Sequence, residues 1–383
     1  MSRGWLRRHR KLLAWTAGTL AVLMIGLVAT GYAVFRHFND NIDQANISGL
    51  LGKRPADLHP QAENIMVIGS DSRTAGGMNG EFGTGLTTDQ SDTLMIIHIP
   101  ADRQWAEVMS IPRDSWVNIP ACTMGDGKLS APTDFKINEA FALGNLYGNR
   151  TALGAACTIK TVEQDTGIYV NHFIVVNFLG FEHMVAALGG VEECSPVPLD
   201  GPGSGLDLSA GYHLLDPTEA LAYVRARHGL GDGSDLDRIV RQQAFMASLI
   251  SRARSEWYNP LAIYQFLDAA TSSLTVDSQL GGLMGLYSLE QSLRSVPASK
   301  IAFFALPNHI DPAATADVLW TQPEDSEIFA SFRDDVPASA SLFAATAAQE
   351  KPGGGRPGKF GVSPGSPSVD ISSRTASQNI CVS

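Results

Sequence analysis

The sequence predicts a three-layer α/β/α sandwich with a central mixed β-sheet, preceded by one N-terminal transmembrane helix. Three observations predict it. Short apolar runs ending in Gly or polar clusters, at residues 65–68, 93–99, 105–111, 173–176 and 301–306, read as buried strands. Amphipathic helical patterns lie between them, and that alternation is expected of helices packed on both faces of a sheet. The third is a basic segment, Arg3, Arg7, Arg8, Arg10 and Lys11, followed by residues 12–35 without a single charge.

Residues 12–35 are long enough to cross a hydrocarbon core of ~30 Å at ~1.5 Å per residue. The basic residues 1–11 are expected to stay in the cytoplasm, which places everything after Arg36 outside. A cleaved signal peptide is the competing reading. Its apolar region is normally ~7–15 residues and ends at a small-residue site, whereas this one runs into Tyr32, Val34 and Phe35.

Residues 36–63 read as a polar juxtamembrane connector, partly helical near the membrane. The globular texture begins at Asn64 and extends to 335, with a core at 64–254. The runs at 93–99 and 105–111, joined by Pro100-Ala101-Asp102-Arg103, read as a hairpin. Helices are expected over 136–146, after a cap at Thr133 or Asp134, over 153–164, and over 178–188, which stops at Gly189-Gly190. Asp216-Pro217-Thr218-Glu219 combines a capping Asp, a Pro at the first helical position and a Glu at the third. A long helix is expected over 236–254, then further helices and the strand 301–306 up to 333. Residues 336–383, rich in Ala, Gly, Pro and Ser, read as a disordered tail.

The four cysteines, Cys122, Cys157, Cys194 and Cys381, all follow the apolar segment. An even count outside the cytoplasm suggests disulfides, although four cysteines allow three connectivities. The expected pairs are Cys122–Cys157 and Cys194–Cys381, with buried free thiols as the alternative. The absence of Cys-x-x-Cys and paired His motifs disfavours a structural zinc site. The net charge of −11 and the outside location disfavour nucleic acid as a partner. No Gly-x-Ser-x-Gly elbow or Walker A motif supports a hydrolase or nucleotidase reading.

Against that acidic background, residues 223–243 concentrate Arg225, Arg227, Arg238 and Arg241 beside Asp235 and Asp237. Arginine offers a planar fork of donors that matches phosphate oxygens in pairs. Ser234 or Asp235 is expected to cap the long helix, so Arg238 and Arg241 fall in its first two turns. Cations at a helix N-terminus are unfavourable unless an anion offsets them. The competing reading is a solvated helix face with salt bridges. Three further clusters lie at strand ends, where open α/β sheets bind ligands. They are Gly69-Ser70-Asp71-Ser72-Arg73, Ser91-Asp92-Thr93 with Asp89 nearby, and Ile111-Pro112-Arg113-Asp114-Ser115. Asp92 has the chemistry for a divalent cation, since Mg²⁺ usually takes one or two carboxylates plus substrate phosphates. Polar turns, a strand-capping Asp and an Arg113–Asp114 pair are the bland readings of these clusters.

Behind an N-terminal anchor and in this order, these stretches resemble the LytR-CpsA-Psr family. The resemblance rests on NIMVIGSDSR (64–73), SDT (91–93), SIPRDSWV (110–117), KINEAF (136–141), GGVE (189–192), ALAYVRARHG (220–229) and DLDRIVRQQ (235–243). It implies a groove that holds a polyprenyl pyrophosphate, and a membrane-anchored phosphotransferase that attaches lipid-linked glycopolymers to peptidoglycan. The pyrophosphate-binding residues implied are Arg73, Arg113, Lys136, Arg225, Arg227, Arg238, Arg241 and Gln242. Asp92 would hold Mg²⁺, with Mn²⁺ as an alternative, and Asp89 or Asp71 would supply a second carboxylate. Arg113 and Arg238 would stabilise developing charge, and Asp114 or Asp235 would serve as general base, Asp235 matching the family's acidic position before the helix. The expected partners are the lipid-linked glycopolymer, peptidoglycan and membrane lipid. One position departs: the family usually has Arg two residues before the Asp of SDT, and this chain has Gln90. The alternatives are a polyprenyl-pyrophosphate phosphatase and a non-enzymatic lipid-pyrophosphate-binding scaffold.

Overall fold

The protein is described by a computed structural model covering residues 3–70, 90–148, 150–195, 198–201, 206–225, 235–297, 300–338 and 373–375. Its central sheet contains β1 (Asp43–Ala45), β2 (Glu63–Ser70), β3 (Ser91–Ile99), β4 (Ala106–Ile111), β7 (His172–Asn177), β12 (Leu274–Asp277), β13 (Ile301–Ala305) and β16 (Ser373–Thr375), in the order β1-β12-β7-β2-β3-β4-β13-β16. The β2–β7, β4–β13 and β1–β12 pairs are parallel, and β2–β3, β3–β4, β7–β12 and β13–β16 are antiparallel, so the sheet is mixed as expected.

Alternation along the strands separates the two faces. Met66 and Ile68 of β2 and Leu94 and Ile96 of β3 enter the larger core. That core is closed by α2 (Asn138–Asn145), α3 (Thr151–Thr166) and α9 (Glu324–Arg333) through Phe141, Ile159, Phe329 and Phe332. The intervening Ile65, Val67, Ile97 and Ile99 face α8 (Gly282–Arg294), whose Leu289 and Leu293 cover them. A second core lies between α4 (Phe178–Ala187), α5 (Pro217–Arg225) and α6 (Asp235–Ser255), together with β8 (Val191–Ser195), β9 (Leu199–Gly201), β10 (Leu206–Leu208) and β11 (Gly211–Leu215). The helices α2 and α3 meet backbone to backbone: a Cβ at Gly144 would lie 2.2 Å from the Leu153 carbonyl oxygen, so only glycine fits.

Local signals held where they were strongest. The β3–β4 hairpin forms as expected. At α5 the Glu219 amide donates to Asp216 Oδ1 at 2.8 Å and the Asp216 amide to Glu219 Oε2 at 3.0 Å, a reciprocal cap. Several expectations need correction. Lys136 ends β6 (Thr133–Lys136), which pairs with β5 (Trp116–Ile119), and α2 starts after it at Asn138 with no side-chain cap. The connector is built into the domain, because β1 pairs with β12 and Ile42, Ile47 and Leu51 are buried. The last part of the domain has more strands than the single one expected: β12, and a β14 (Asn308–Asp311)–β15 (Ala314–Trp320) hairpin. Beyond 335, Ala338 is buried and its amide donates to Glu107, and Ser373–Thr375 adds an edge strand where only a structureless tail was expected.

The helix α1 (Arg3–Asn41) contains a stretch, Ala14–Asn41, long and apolar enough to cross a membrane. Cys122 and Cys157 form a disulfide that ties the segment after β5 to α3. Cys194 is also disulfide-bonded, and its expected partner Cys381 lies outside the described residues. Closing the 35-residue separation of Cys122–Cys157 stabilises the fold by roughly 3–4 kcal/mol in the chain-entropy model. A Cys122→Ser/Cys157→Ser double variant is therefore expected to lose roughly 3–4 kcal/mol of unfolding free energy and so to unfold at a lower denaturant midpoint; an unchanged midpoint would contradict it.

Candidate functional site

The carboxyl ends of β2, β4, β7 and β13 share one edge of the sheet, and β3 begins there because it is antiparallel to β2. Asp92 sits at that edge in a bulge: Gly69 pairs with Thr93 and Ser70 with Ser91, so Asp92 is the extra residue. A bulge re-aims a side chain out of the ladder. The strands approach closely here, since a Cβ at Gly69 would lie 3.1 Å from Thr93 Cβ.

Cations converge on Asp92 from separate elements. Arg113, in the turn after β4, donates through Nη1 to Asp92 Oδ1. Arg225, at the end of α5, places Nη2 3.4 Å from Asp92 Oδ2 while its guanidinium stands 5.1 Å above the Phe178 ring at the start of α4. Asp114 forms a second node, with Lys136 Nζ 3.0 Å from Oδ1 and Arg113 Nε 3.8 Å from Oδ2. The peptide amide of Asn138 donates to the Arg113 carbonyl at 3.3 Å and that of Ile137 to the Ser115 carbonyl at 2.8 Å, so the Lys136 strand end is fixed against this turn. Gln242 of α6 donates to Thr93 Oγ1 at 3.3 Å and to the Val224 carbonyl at 3.2 Å, bridging α6, β3 and α5.

Four of the eight expected phosphate ligands, Arg113, Lys136, Arg225 and Gln242, are thus gathered at one sheet edge. Arg241 is enclosed instead, at 2% exposure. It lies near Tyr223, whose hydroxyl pKa burial and Glu193 push up and Arg241 pulls down. Arg73, Arg227, Asp71 and Asp89 lie outside the described residues. Asp235 and Arg238 lie in the first turns of α6, where only the backbone is described.

Two carboxylates at the site were not anticipated. Asp317 of β15 places Oδ1 3.8 Å from Lys136 Nζ, because the Val318 amide pairs with the Asp114 carbonyl at 3.1 Å. Glu139, in the first turn of α2, accepts a hydrogen bond from Gln90. Burial raises the Glu139 carboxyl above its ordinary pKa, with the Gln90 amide and the nearby Lys136 charge drawing it back down. Glu139 was within reach of sequence reasoning, since it stands inside KINEAF beside the departing Gln90 position. Nothing local in the sequence around Asp317 pointed to Lys136.

Buried polar atoms ring this edge: Arg113 Nε and the hydroxyls of Ser70, Ser91 and Ser115 have no hydrogen-bond partner among the described residues. Buried polar groups are normally satisfied, and such donors suit an oxyanion ligand. For a metal, Asp92 supplies one hard oxygen donor of the type Mg²⁺ takes, and both its oxygens also face guanidinium groups. No group of three potential metal-binding side chains occurs among the described residues. That donor set suits an ion completed by substrate phosphates rather than a cage made by the protein alone.

Fold and site together define an α/β protein with one helix long and apolar enough to cross a membrane and a cluster of cationic and acidic side chains at the carboxyl ends of its central strands. The chain belongs to the LytR_cpsA_psr family, whose model matches residues 33–330. The cell wall biosynthesis protein LcpA of Corynebacterium glutamicum is 32% identical over 317 residues, covering 77% of this chain and 57% of LcpA. The polyisoprenyl-teichoic acid–peptidoglycan teichoic acid transferase TagT of Bacillus subtilis is 30% identical over 313 residues, covering 77% of this chain and 87% of TagT. Among solved structures, a LytR-Csp2A-Psr enzyme from Actinomyces oris superimposes with a TM-score of 0.51 at 22% identity, covering 78% of this chain and 97% of that one, a likeness of fold.

Proposed function

We propose that this protein is a phosphotransferase that attaches polyprenyl-pyrophosphate-linked glycopolymers to peptidoglycan at the outer face of the cell membrane. What carries the reading is the convergence of Arg113, Lys136 and Arg225 on the Asp92–Asp114 pair at the carboxyl edge of the sheet. Family membership and the transferase named among the relatives support it. The domain then lies outside, with residues 1–11 in the cytoplasm.

The arginine forks and Lys136 bind the pyrophosphate and are already oriented by Asp92 and Asp114, so little reorganisation accompanies the reaction. A peptidoglycan hydroxyl oxygen attacks the phosphorus on the glycan side. The bond from that phosphorus to the bridging oxygen breaks, and polyprenyl phosphate leaves with the electron pair and the charge. The hydroxyl proton passes to a carboxylate. Both Asp114 oxygens already face cations, so Glu139, held by a neutral amide and with its proton affinity raised by burial, is the better acceptor among the described residues. Asp92 would hold Mg²⁺, which would neutralise phosphate charge when bound. The isoprenoid chain would start against the half-buried Met95 and Val176 beside Thr93, next to the part of that face that α8 covers.

The test incubates the purified full-length chain with glycan-labelled lipid-linked glycopolymer, peptidoglycan and Mg²⁺. Label bound covalently to peptidoglycan is the expected result. Release of water-soluble glycan with no transfer would make the protein a hydrolase, and retention without turnover would make it a carrier.

A further inference from the structure

The end of α1 does not hang free of the domain. His37 Nε2 lies 2.7 Å from Asp268 Oδ1, and Asn41 Nδ2 donates to Asp268 Oδ1 at 2.8 Å and to Thr271 Oγ1 at 3.3 Å. The Tyr264 ring stacks on His37 at 5.9 Å and packs against buried Phe38 at 5.3 Å. The Leu283 amide, at the start of α8, donates to Asn39 Oδ1 at 3.2 Å. Asp268, Thr271 and Tyr264 all belong to α7 (Pro260–Ser272). The upper contacts join Asn41 to Asp268 and Thr271, and the lower ones join His37 and Phe38 to Tyr264. The two helices therefore run parallel, and the N-terminal turn of α7 points back along α1 towards the apolar span.

That geometry sets a height. Leu261 precedes Tyr264 by three residues, or about 4.5 Å along a helix, which brings it level with the outer end of the uncharged stretch 12–35. Tyr258 lies one step further. These are among the most exposed apolar side chains outside α1, Tyr258 at 94% and Leu261 at 65%. The last turns of α6 lead into the same corner with Ile250, 46% exposed, and the exposed Arg254. Aromatic rings, an aliphatic residue and a peripheral arginine match the headgroup level of a bilayer, where amphipathic side chains concentrate.

We infer that the corner formed by the end of α6, Tyr258 and the first turn of α7 rests on the outer surface of the bilayer that α1 crosses. Tyr258 and Leu261 enter the headgroup–acyl boundary, and Arg254 meets lipid phosphates. The inference goes beyond the proposed transfer and rests only on α1 being the membrane span. Its consequence is that α6 meets the membrane at its C-terminal end. Gln242, thirteen residues before Ser255, is then at most roughly 20 Å above the surface, so the phosphates of a membrane-borne lipid need be drawn up by no more than about that distance.

The described residues contain no free cysteine, so one introduced thiol can carry a nitroxide without competition. Full-length Tyr258→Cys and Leu261→Cys variants are labelled and reconstituted in vesicles of phosphatidylcholine and phosphatidylglycerol. Leu23→Cys, within the apolar stretch, and Leu129→Cys, on an exposed turn far along the domain, serve as references. Collision with oxygen is compared with collision with a water-soluble nickel complex. The expected result is a shift of the ratio at 258 and 261 away from the value at 129 towards that at 23. Ratios at 258 and 261 equal to that at 129, with 23 buried in lipid, would overturn the docking alone. A water-exposed label at 23 would overturn the anchor and the docking together. Protection from both reagents in a protein that runs as a dimer would assign the corner to a second copy and overturn the proposal.

Discussion

Arg113→Ala is expected to lose at least about 10³-fold in transfer rate while the protein stays folded. Arg113 bonds Asp92, approaches Asp114, and keeps a buried Nε without a hydrogen bond among the described residues. Removing a single donor aimed at developing charge typically costs about 10²–10³ in kcat, and Arg113 offers more than one. The cost in stability is far smaller, because its ion pairs are partly solvated and Asp92 keeps Arg225; about 1 kcal/mol or less is expected. Arg113→Lys retains the charge but not the planar fork, and should recover only part of the rate. Transfer kinetics beside a denaturation midpoint check this. Near-normal turnover in a folded Arg113→Ala protein would show that the site does not lie at the carboxyl ends of β2 and β4.

Glu139→Gln should lower the rate by about 10²–10⁴-fold, the usual contribution of a positioned general base. The substitution is isosteric, so the test separates proton acceptance from packing. The sign of the pH dependence follows from the environment. Burial favours the protonated form of Glu139, and only the ionised form accepts a proton. Activity should fall as pH drops through that raised value, and the acidic limb should vanish in Glu139→Gln. Gln90→Arg would place a cation against the same carboxylate, favour its ionised form and move the limb to lower pH. A pH–rate profile that is unchanged in both variants would show that Glu139 does not take the proton.

The parts of this protein legible in its sequence are those that depend on neighbours in the chain. The β3–β4 hairpin and the Asp216–Glu219 cap are settled within a few residues, and both appear as read. The start of α2 was misplaced because the β-pairing of Lys136 is decided by Trp116, twenty residues away. The strands β1, β12 and β14 are short, and the partners of these strands and of β15 lie far off in sequence or in an unrecognised hairpin, so no local periodicity marked them. The site divides in the same way. Asp92, Arg113 and Lys136 were found because strand ends and motif spacing flag them. Asp317 enters through one inter-strand hydrogen bond to the Asp114 carbonyl. The burial of Arg241 was not legible, because helical spacing gives a face but not what covers it.

Phosphorus on the glycan side of the pyrophosphate should move with the glycan onto peptidoglycan. This is tested most directly with a lipid-linked glycopolymer carrying radioactive phosphorus only at that position, incubated with the full-length protein, peptidoglycan and Mg²⁺. The expected products are label in a phosphodiester on peptidoglycan and unlabelled polyprenyl monophosphate. Label recovered in soluble glycan phosphate, or left on the lipid, would contradict it.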